Sequence, residues 1–185
     1  MKKTKNPIST FIGFADCITI TGLFLAITAI FSSLTDHLIT AARLILGSAL
    51  CDFFDGPVAR RRNKESPFGV ALDGLNDFVT HLLAIALFGY ASGLQSPLAV
   101  LCFTVFVVLG AMRLARYAVT GTIEGYYEGL PAGFSFFLIP LCLLFRHLGL
   151  PLDLMLLLYL ATAVFMVSSV RVKKPYLKLP RLLSP

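Results

Sequence analysis

The chain has 185 residues, of which 57% are hydrophobic and only 14% are charged, and its formal net charge is +6. A soluble domain is usually about one-quarter charged, so this composition excludes an ordinary soluble protein and predicts an integral membrane protein. Because each crossing of a bilayer takes about 20 apolar residues, the apolar stretches use up the whole length, and we predict one membrane domain over residues 1–185.

Six apolar stretches predict six transmembrane helices, so the expected fold class is all-α and polytopic. Segments with Gly, Pro, Ser or Asp separate several of them and favour tight turns between neighbouring helices. The first stretch follows a basic start but is longer than the apolar core of a cleavable signal peptide, so we interpret it as a span. In chain order, the predicted helices cover residues 11–31, 37–54, 67–91, 97–117, 130–148 and 152–170.

The distribution of Lys and Arg predicts the orientation. If the N-terminus is cytoplasmic, all but two of the 16 basic residues lie at or near the cytoplasmic face, the exceptions being Arg43 and Arg146. Cations are retained on that side of short loops, so we expect both termini in the cytoplasm. We also expect the protein to lie in a prokaryotic inner membrane. The basic tail, residues 171–181, either lies against anionic lipid headgroups or is a solvated anchor. Topology thus explains the net charge, and we expect no nucleic-acid partner.

Four aspartates lie inside or at the ends of apolar helices. Asp52 and Asp55 finish the second predicted helix, and Asp73 and Asp77 lie in the third. An Asp at mid-bilayer costs about 2.5–3.5 kcal/mol, so intramembrane carboxylates indicate a functional site. Residues three or four apart share a helix face. A hairpin through residues 60–66 lets the two pairs face each other near the cytoplasmic surface.

Four converging carboxylates need bound cations, and an all-oxygen ligand set suits Mg²⁺, Mn²⁺ or Ca²⁺. Two such divalent ions would balance the four charges. Gly56 and Gly69 remove side chains where a ligand or a neighbouring backbone comes close, although helix packing explains them equally well. Arg60 suits a diphosphate because its planar fork makes bidentate contacts with phosphate oxygens, or else it is part of a topological stop signal.

The segment from Asp52 to Asp77 resembles the signature of the CDP-alcohol phosphotransferase family. It matches D-x2-D-G-x2-A-R-x8-G-x3-D-x3-D at every fixed position, namely Asp52, Asp55, Gly56, Ala59, Arg60, Gly69, Asp73 and Asp77. The resemblance implies six transmembrane helices around a cytoplasm-facing polar cavity, in a homodimer. It also implies transfer of a phosphatidyl-type group from a CDP-activated lipid to a small alcohol, with CMP as the leaving group.

The resemblance assigns roles to the motif residues. Asp52, Asp55 and Asp73 would hold the divalent metal ions, with Asp77 as a further ligand and the general base. The nucleotide would be framed by four further motif residues, Gly56, Ala59, Arg60 and Gly69.

Other stretches resemble the phosphatidylserine synthases, at residues 110–117, 129–131 and 166–168. They favour CDP-diacylglycerol and L-serine as substrates and phosphatidylserine and CMP as products. Glycerol 3-phosphate, inositol or its phosphate, and choline remain alternative acceptors. The acceptor is open because the sequence departs from those enzymes after Asp73, and because Gly22 lies where their first helix often carries Asn.

Three residues outside the motif are further candidates. Arg113 and Arg116 share a helix face and are favoured to hold the acceptor's carboxylate or phosphate, the alternative being a helix end marked by cations. His81 lies one turn beyond Asp77 and is either a partner of the carboxylates or, as the favoured interpretation, an interior histidine with capped nitrogens.

A second functional class is a cation transporter, because intramembrane aspartates also line ion paths. The cluster of residues 56–60 argues against it, since a cation path requires no such motif. A non-catalytic scaffold would leave the four aspartates unexplained.

Overall fold

The computed structural model describes residues 12–61, 66–120 and 126–173. They form seven α-helices, one π-helical turn, one 3-10 helix and two short strands. In chain order these are α1 (Phe14–Leu34), α2 (Leu38–Arg61), α3 (Pro67–Asp77), the π-helical turn (Phe78–Leu83), α4 (Ala84–Ala91), α5 (Pro97–Thr120), β1 (Tyr126–Glu128), the 3-10 helix (Ala132–Phe137), α6 (Leu138–Leu148), α7 (Leu154–Val167) and β2 (Arg171–Lys173).

The predicted helical fold class is confirmed. The stretch from α3 through the π-helical turn to α4 is continuous, and so is the stretch from the 3-10 helix to α6. The described residues therefore contain six helical stretches, each overlapping one predicted span. The sequence did not predict the two strands, which pair antiparallel with Tyr127 opposite Val172.

Local sequence explains where several helices begin and end. The Ser66 hydroxyl accepts from the Gly69 amide at 2.9 Å and caps α3, whose first residue is Pro67. Serine at the cap and proline in the first turn are both favourable, because the side chain satisfies a free amide and proline has none to satisfy. Gly149 ends α6 with φ at 65°, the left-handed conformation that suits glycine.

Three helical stretches in the described part of the chain are long and apolar enough to cross a membrane, by length and composition: Asp16–Leu34, Pro67–Ala91 and Pro97–Thr120. Ala132–Leu148 and Leu154–Val167 are apolar but shorter. Many outward side chains on these helices are large and apolar, among them Phe24, Phe31 and Leu157. Such a surface suits contact with lipid, and the count of six spans stays a prediction.

Tyr159 of α7 lies at the centre of the buried core and joins three helices. Its hydroxyl donates to the Ile85 carbonyl at 2.9 Å. Its ring packs edge-on against Phe103 and Phe106, with ring centroids 4.9 and 5.3 Å away. Gly89 leaves the necessary room, since a Cβ there would lie 2.6 Å from the Tyr159 hydroxyl oxygen. Helices α4, α5 and α7 are thus packed together next to the π-helical turn.

Helix α2 packs along α1 and beside the stretch that begins with α3. Ser48 of α2 contacts Thr80 of the partner stretch. One turn later on α2, Asp52 contacts Asn76, which lies one turn before Thr80. The two stretches therefore run antiparallel. This arrangement agrees with the predicted hairpin and brings the aspartates of α2 and α3 to one end of the bundle.

Candidate active site

Two of the predicted carboxylates meet at a histidine. His81 Nε2 lies 3.3 Å from Asp52 Oδ2 and 3.3 Å from Asp77 Oδ1. One oxygen of each carboxylate and the histidine nitrogen all lie within 4.8 Å of one another. The His81 side chain is 4% exposed, whereas those of Asp52 and Asp77 are 24% and 25% exposed. The cluster is therefore closed at its histidine end and partly open at its carboxylate end.

The π-helical turn places His81 beneath the carboxylates. Turns of this kind are rare and are frequent at functional sites. The Ser135 hydroxyl, from the 3-10 helix, donates to the His81 carbonyl at 2.7 Å, and the Phe136 ring packs edge-on against the imidazole at 5.1 Å between centroids. The 3-10 helix thus packs against the π-helical turn and holds the His81 imidazole in position.

The favoured sequence interpretation of His81 was wrong. Its Nε2 contacts the carboxylates, and its buried Nδ1 has no hydrogen-bond partner among the residues that the structure describes. A capped interior histidine would have had both nitrogens satisfied by its surroundings. The alternative interpretation, a partner of the carboxylates, agrees with the structure.

The distances from His81 to the two carboxylates are compatible with a divalent ion between these groups. Two atoms at right angles around an ion are separated by about 1.4 bond lengths, which is about 2.9 Å for Mg²⁺ and about 3.4 Å for Ca²⁺. The observed separations of 3.3 Å from His81 Nε2 to each carboxylate lie in this interval. Carboxylates suit Mg²⁺, Ca²⁺ and Mn²⁺, and an imidazole nitrogen is a ligand for transition metals. The residues present therefore fit the metal that the motif implies.

Comparison with known proteins decides the family. The model of the CDP-alcohol phosphatidyltransferase family matches residues 13–170. The chain belongs to this family. The predicted enzyme class, a CDP-alcohol phosphatidyltransferase, is confirmed by this match, which also argues against the cation transporter. Together with its three long apolar helices, membership makes the chain an integral membrane protein.

The relatives of this chain are named for more than one acceptor. The chain is 30% identical over 177 residues to the CDP-diacylglycerol–serine O-phosphatidyltransferase of Helicobacter pylori, covering 89% of this chain and 73% of the relative. It is 34% identical over 138 residues to the yeast (Saccharomyces cerevisiae) enzyme of the same name, covering 68% of this chain and 46% of the relative. The archaetidylinositol phosphate synthase of Methanothermobacter thermautotrophicus is 41% identical over 73 residues, which is 39% of this chain and 37% of the relative.

The remaining motif residues of this phosphatidyltransferase are only partly described. Asp73 lies on α3, one turn before Asp77, and is exposed. The backbone of α2 extends through Asp55, Gly56, Ala59 and Arg60, but the side chains there lie outside the described residues. Of the four predicted carboxylates, the structure thus brings Asp52 and Asp77 together, and the convergence of all four stays a prediction.

Gly69 packs against a carboxylate from the first helix. A Cβ at Gly69 would lie 2.6 Å from Asp16 Oδ1 and 3.2 Å from the Ser66 hydroxyl oxygen. Asp16 is buried and accepts a hydrogen bond from the Gly13 amide at 2.6 Å through its other oxygen. Close packing of α1 on α3 therefore supplies one reason for glycine at this motif position. The predicted role in framing a nucleotide is compatible with it, because both require the absence of a side chain.

The two arginines of α5 have different surroundings. Arg113 is 8% exposed, and its guanidinium lies 5.7 Å from the centroid of the Tyr117 ring. Gly110, one turn earlier on the same face, packs against Leu82, the neighbour of His81. Arg113 therefore lies on the face of α5 that is turned toward the π-helical turn.

Arg116 contacts backbone carbonyls. Its guanidinium donates to the carbonyls of Glu128 at 2.9 Å and Val167 at 3.3 Å, with longer contacts to Met166 and Ser168. It thus ties β1 to the end of α7. The sequence did not indicate these contacts of Arg116, and its predicted role in binding the acceptor stays a prediction.

Gly129 lies beside this arginine and is expected to tolerate no side chain. Its φ is 74°, its amide donates to the Val170 carbonyl at 2.8 Å, and a Cβ would overlap the Met166 carbonyl. We expect Gly129→Ala to lower the free energy of unfolding by at least about 3 kcal/mol, because strain and overlap add. The measurement is the thermal unfolding of the purified protein in detergent.

Gly149→Ala is the matched control for this prediction. Gly149 also has positive φ, at 65°, but a Cβ there would meet nothing within 4 Å. Gly149→Ala should lower the free energy of unfolding by the backbone strain alone, about 1–2 kcal/mol. Equal losses in the two variants would contradict the proposed overlap at Gly129.

Proposed function

We propose that the protein transfers a phosphatidyl group from CDP-diacylglycerol to L-serine in a metal-dependent reaction, giving phosphatidylserine and CMP. The observation that carries this proposal is the convergence of Asp52 and Asp77 with His81 in a partly open cluster, in a membrane chain of this family. Two of the relatives described above are named for serine, which favours it as the acceptor. The archaeal relative is named for an inositol phosphate lipid, so glycerol 3-phosphate, inositol, inositol phosphate and choline are tested beside serine.

The reaction is a displacement at phosphorus. The serine hydroxyl oxygen forms a bond to the phosphorus that carries the diacylglycerol, the bond from that phosphorus to the CMP oxygen breaks, and CMP leaves with the electron pair. The hydroxyl proton passes to a carboxylate, and Asp77 is the proposed general base. A carboxylate bound tightly to a metal ion is a weak base. Asp77 would therefore act as the base only if it binds a metal ion weakly.

The other residues of the motif hold the donor. Asp52, Asp55 and Asp73, with Asp77, are proposed to bind two divalent ions, magnesium, manganese or calcium. When bound there, such ions would supply positive charge that neutralises the diphosphate and stabilises CMP as it leaves. Arg60 is proposed to make a bidentate contact with the diphosphate, and Gly56, Ala59 and Gly69 to frame the nucleotide. Arg113 is proposed to hold the carboxylate of the acceptor.

The proposed topology places this site at the cytoplasmic side of the inner membrane. It has six spans in one domain, both termini in the cytoplasm and a polar cavity that opens to the cytoplasm, as the distribution of basic residues predicts. The lipid tails of the donor lie between helices in the bilayer. The homodimer implied by the family resemblance stays a prediction.

An acceptor panel tests the proposal. Purified protein is incubated with CDP-diacylglycerol in mixed micelles, with and without Mn²⁺ or Mg²⁺, and CMP release is measured for each acceptor. We expect release only with a divalent ion, and fastest with serine, because alignment of a bound hydroxyl lowers the barrier. Faster CMP release with another alcohol would make that alcohol, and not serine, the proposed acceptor. The absence of CMP release with every acceptor would overturn the proposed reaction.

A further inference from the structure

Asn76 is a buried amide at the edge of the site. Residues 73–75 are exposed, whereas Asn76 is fully buried. Its Nδ2 donates to Asp52 Oδ1 at 3.3 Å, and its Oδ1 accepts from the Thr80 hydroxyl at 3.3 Å. An ionised carboxylate only accepts hydrogen bonds, so the amide must turn its NH₂ group to Asp52 and its oxygen to Thr80. The two contacts together fix the orientation of the amide.

Buried hydroxyls connect this amide to the packing of α1 on α2. The Thr80 hydroxyl oxygen lies 2.8 Å from that of Ser48, and the Ser48 hydroxyl donates to the Gly22 carbonyl at 2.8 Å. Ser48 and Thr80 are both fully buried. Each hydroxyl has one proton, so with Thr80 donating to Asn76 the proton of Ser48 is shared between the Gly22 carbonyl and the Thr80 oxygen. A chain of polar contacts therefore runs from the backbone of α1 to the carboxylate of Asp52.

Gly22 lies beside the Asn76 amide. A Cβ at residue 22 would lie 3.1 Å from the Cβ of Cys51, closer than most contacts of real side chains, and 3.4 Å from Asn76 Oδ1, an ordinary van der Waals distance. The space where α1, α2 and α3 meet is thus filled by a side chain from α3. Asn76 has little freedom to leave it, because Gly22 and Thr80 lie on either side of its oxygen.

We propose that Asn76 is a positioning residue that fixes the Asp52 carboxylate in the orientation that the metal site requires. Asn76 holds Oδ1 of Asp52, which directs Oδ2 toward His81 and the space shared with Asp77. Asp52 is partly exposed and could otherwise turn toward solvent. The inference rests on the proposed function, because it concerns the carboxylate proposed there as a metal ligand. Loss of such an outer partner typically costs about 10–100-fold in metal affinity.

The test compares Mn²⁺ affinity in the wild type and in Asn76→Leu. Leucine has nearly the shape of asparagine and makes no hydrogen bond, so the packing is retained while the contact with Asp52 is lost. Free Mn²⁺ is measured by electron paramagnetic resonance in a titration of the full chain in lipid nanodiscs. We expect Mn²⁺ binding to weaken by about 10–100-fold. Asn76→Ala should give the same loss, and Asn76→Leu decides if the alanine variant does not fold.

Ser48→Ala is the matched control. It removes the other end of the same polar chain and leaves the contact between Asn76 and Asp52 in place. Its Mn²⁺ affinity should stay within about threefold of the wild type, even where its melting temperature falls. An equal loss of Mn²⁺ affinity in Ser48→Ala and Asn76→Leu would show that packing, not the amide, is responsible, and unchanged affinity in Asn76→Leu would overturn the inference directly.

Activity of the same samples separates this inference from the proposed function. A wild type that releases CMP, together with an Asn76→Leu variant that binds Mn²⁺ normally, overturns the inference alone. A wild type whose Mn²⁺ binding depends on Asn76 but that releases no CMP with any acceptor overturns the proposed function alone. A wild type that binds no Mn²⁺ and releases no CMP with any acceptor and divalent ion overturns both.

Discussion

Asp77→Asn is expected to lower the rate of CMP release by about 10²–10⁴-fold, the usual range for loss of a general base. Asparagine keeps the size of the side chain and can still contact His81, which lies 3.3 Å from Asp77 Oδ1. It cannot accept the proton of the attacking hydroxyl. The measurement is the initial rate of CMP release at saturating CDP-diacylglycerol, serine and Mn²⁺.

The control for this prediction is Asp153→Asn. Asp153 is exposed at the beginning of α7, outside the cluster, so its substitution should leave the rate within about twofold of the wild type. The Mn²⁺ titration described above shows whether Asp77→Asn also loses metal. Unchanged CMP release by Asp77→Asn would remove Asp77 from the proton transfer.

The helices could be predicted because their signals are local. Hydropathy over about 20 residues marks an apolar helix, and Ser66-Pro67 marks the beginning of α3 in the sequence as it does in the structure. The meeting of Asp52 with Asp77 could also be predicted, since the spacing within each helix fixes the face and a hairpin makes the two faces meet. Both inferences use residues close in sequence.

The surroundings of the carboxylates could not be predicted in the same way. Whether residues 78–83 form an α-helical or a π-helical turn depends on what packs against them, here Ser135 and Phe136 from a distant helix. The position of His81 follows from that choice. The pairing of β1 with β2 joins two three-residue segments far apart in the chain, and neither is long enough to show the alternation of a strand.

Gly22 shows the same limit in a single contact. In the sequence it is a departure from the resemblance, because an asparagine is often found near that place. In the structure the oxygen of Asn76, from another helix, lies 3.4 Å from the position of a Cβ on Gly22. Gly22 and Asn76 are therefore neighbours across a helix interface, which the sequence alone does not show.

Arg113→Ala is expected to raise the KM for serine by roughly 10–100-fold, with a much smaller change in the KM for CDP-diacylglycerol. A hydrogen bond to a charged group contributes about 1.5–3 kcal/mol, and Arg113 is a buried cation on the face of α5 turned toward the π-helical turn. The measurement is the rate of CMP release as a function of serine at saturating donor and Mn²⁺.

Arg116→Ala gives the comparison that decides between binding and packing. Arg116 donates to the carbonyls of Glu128 and Val167, so its removal leaves acceptors without partners, at about 1–3 kcal/mol for each buried one. Its effect should therefore appear first as a lower melting temperature. A rise in the KM for serine in Arg116→Ala and none in Arg113→Ala would contradict the proposed role of Arg113 and assign the acceptor to Arg116. An unchanged KM for serine in both variants would mean that the two arginines only mark the end of the helix.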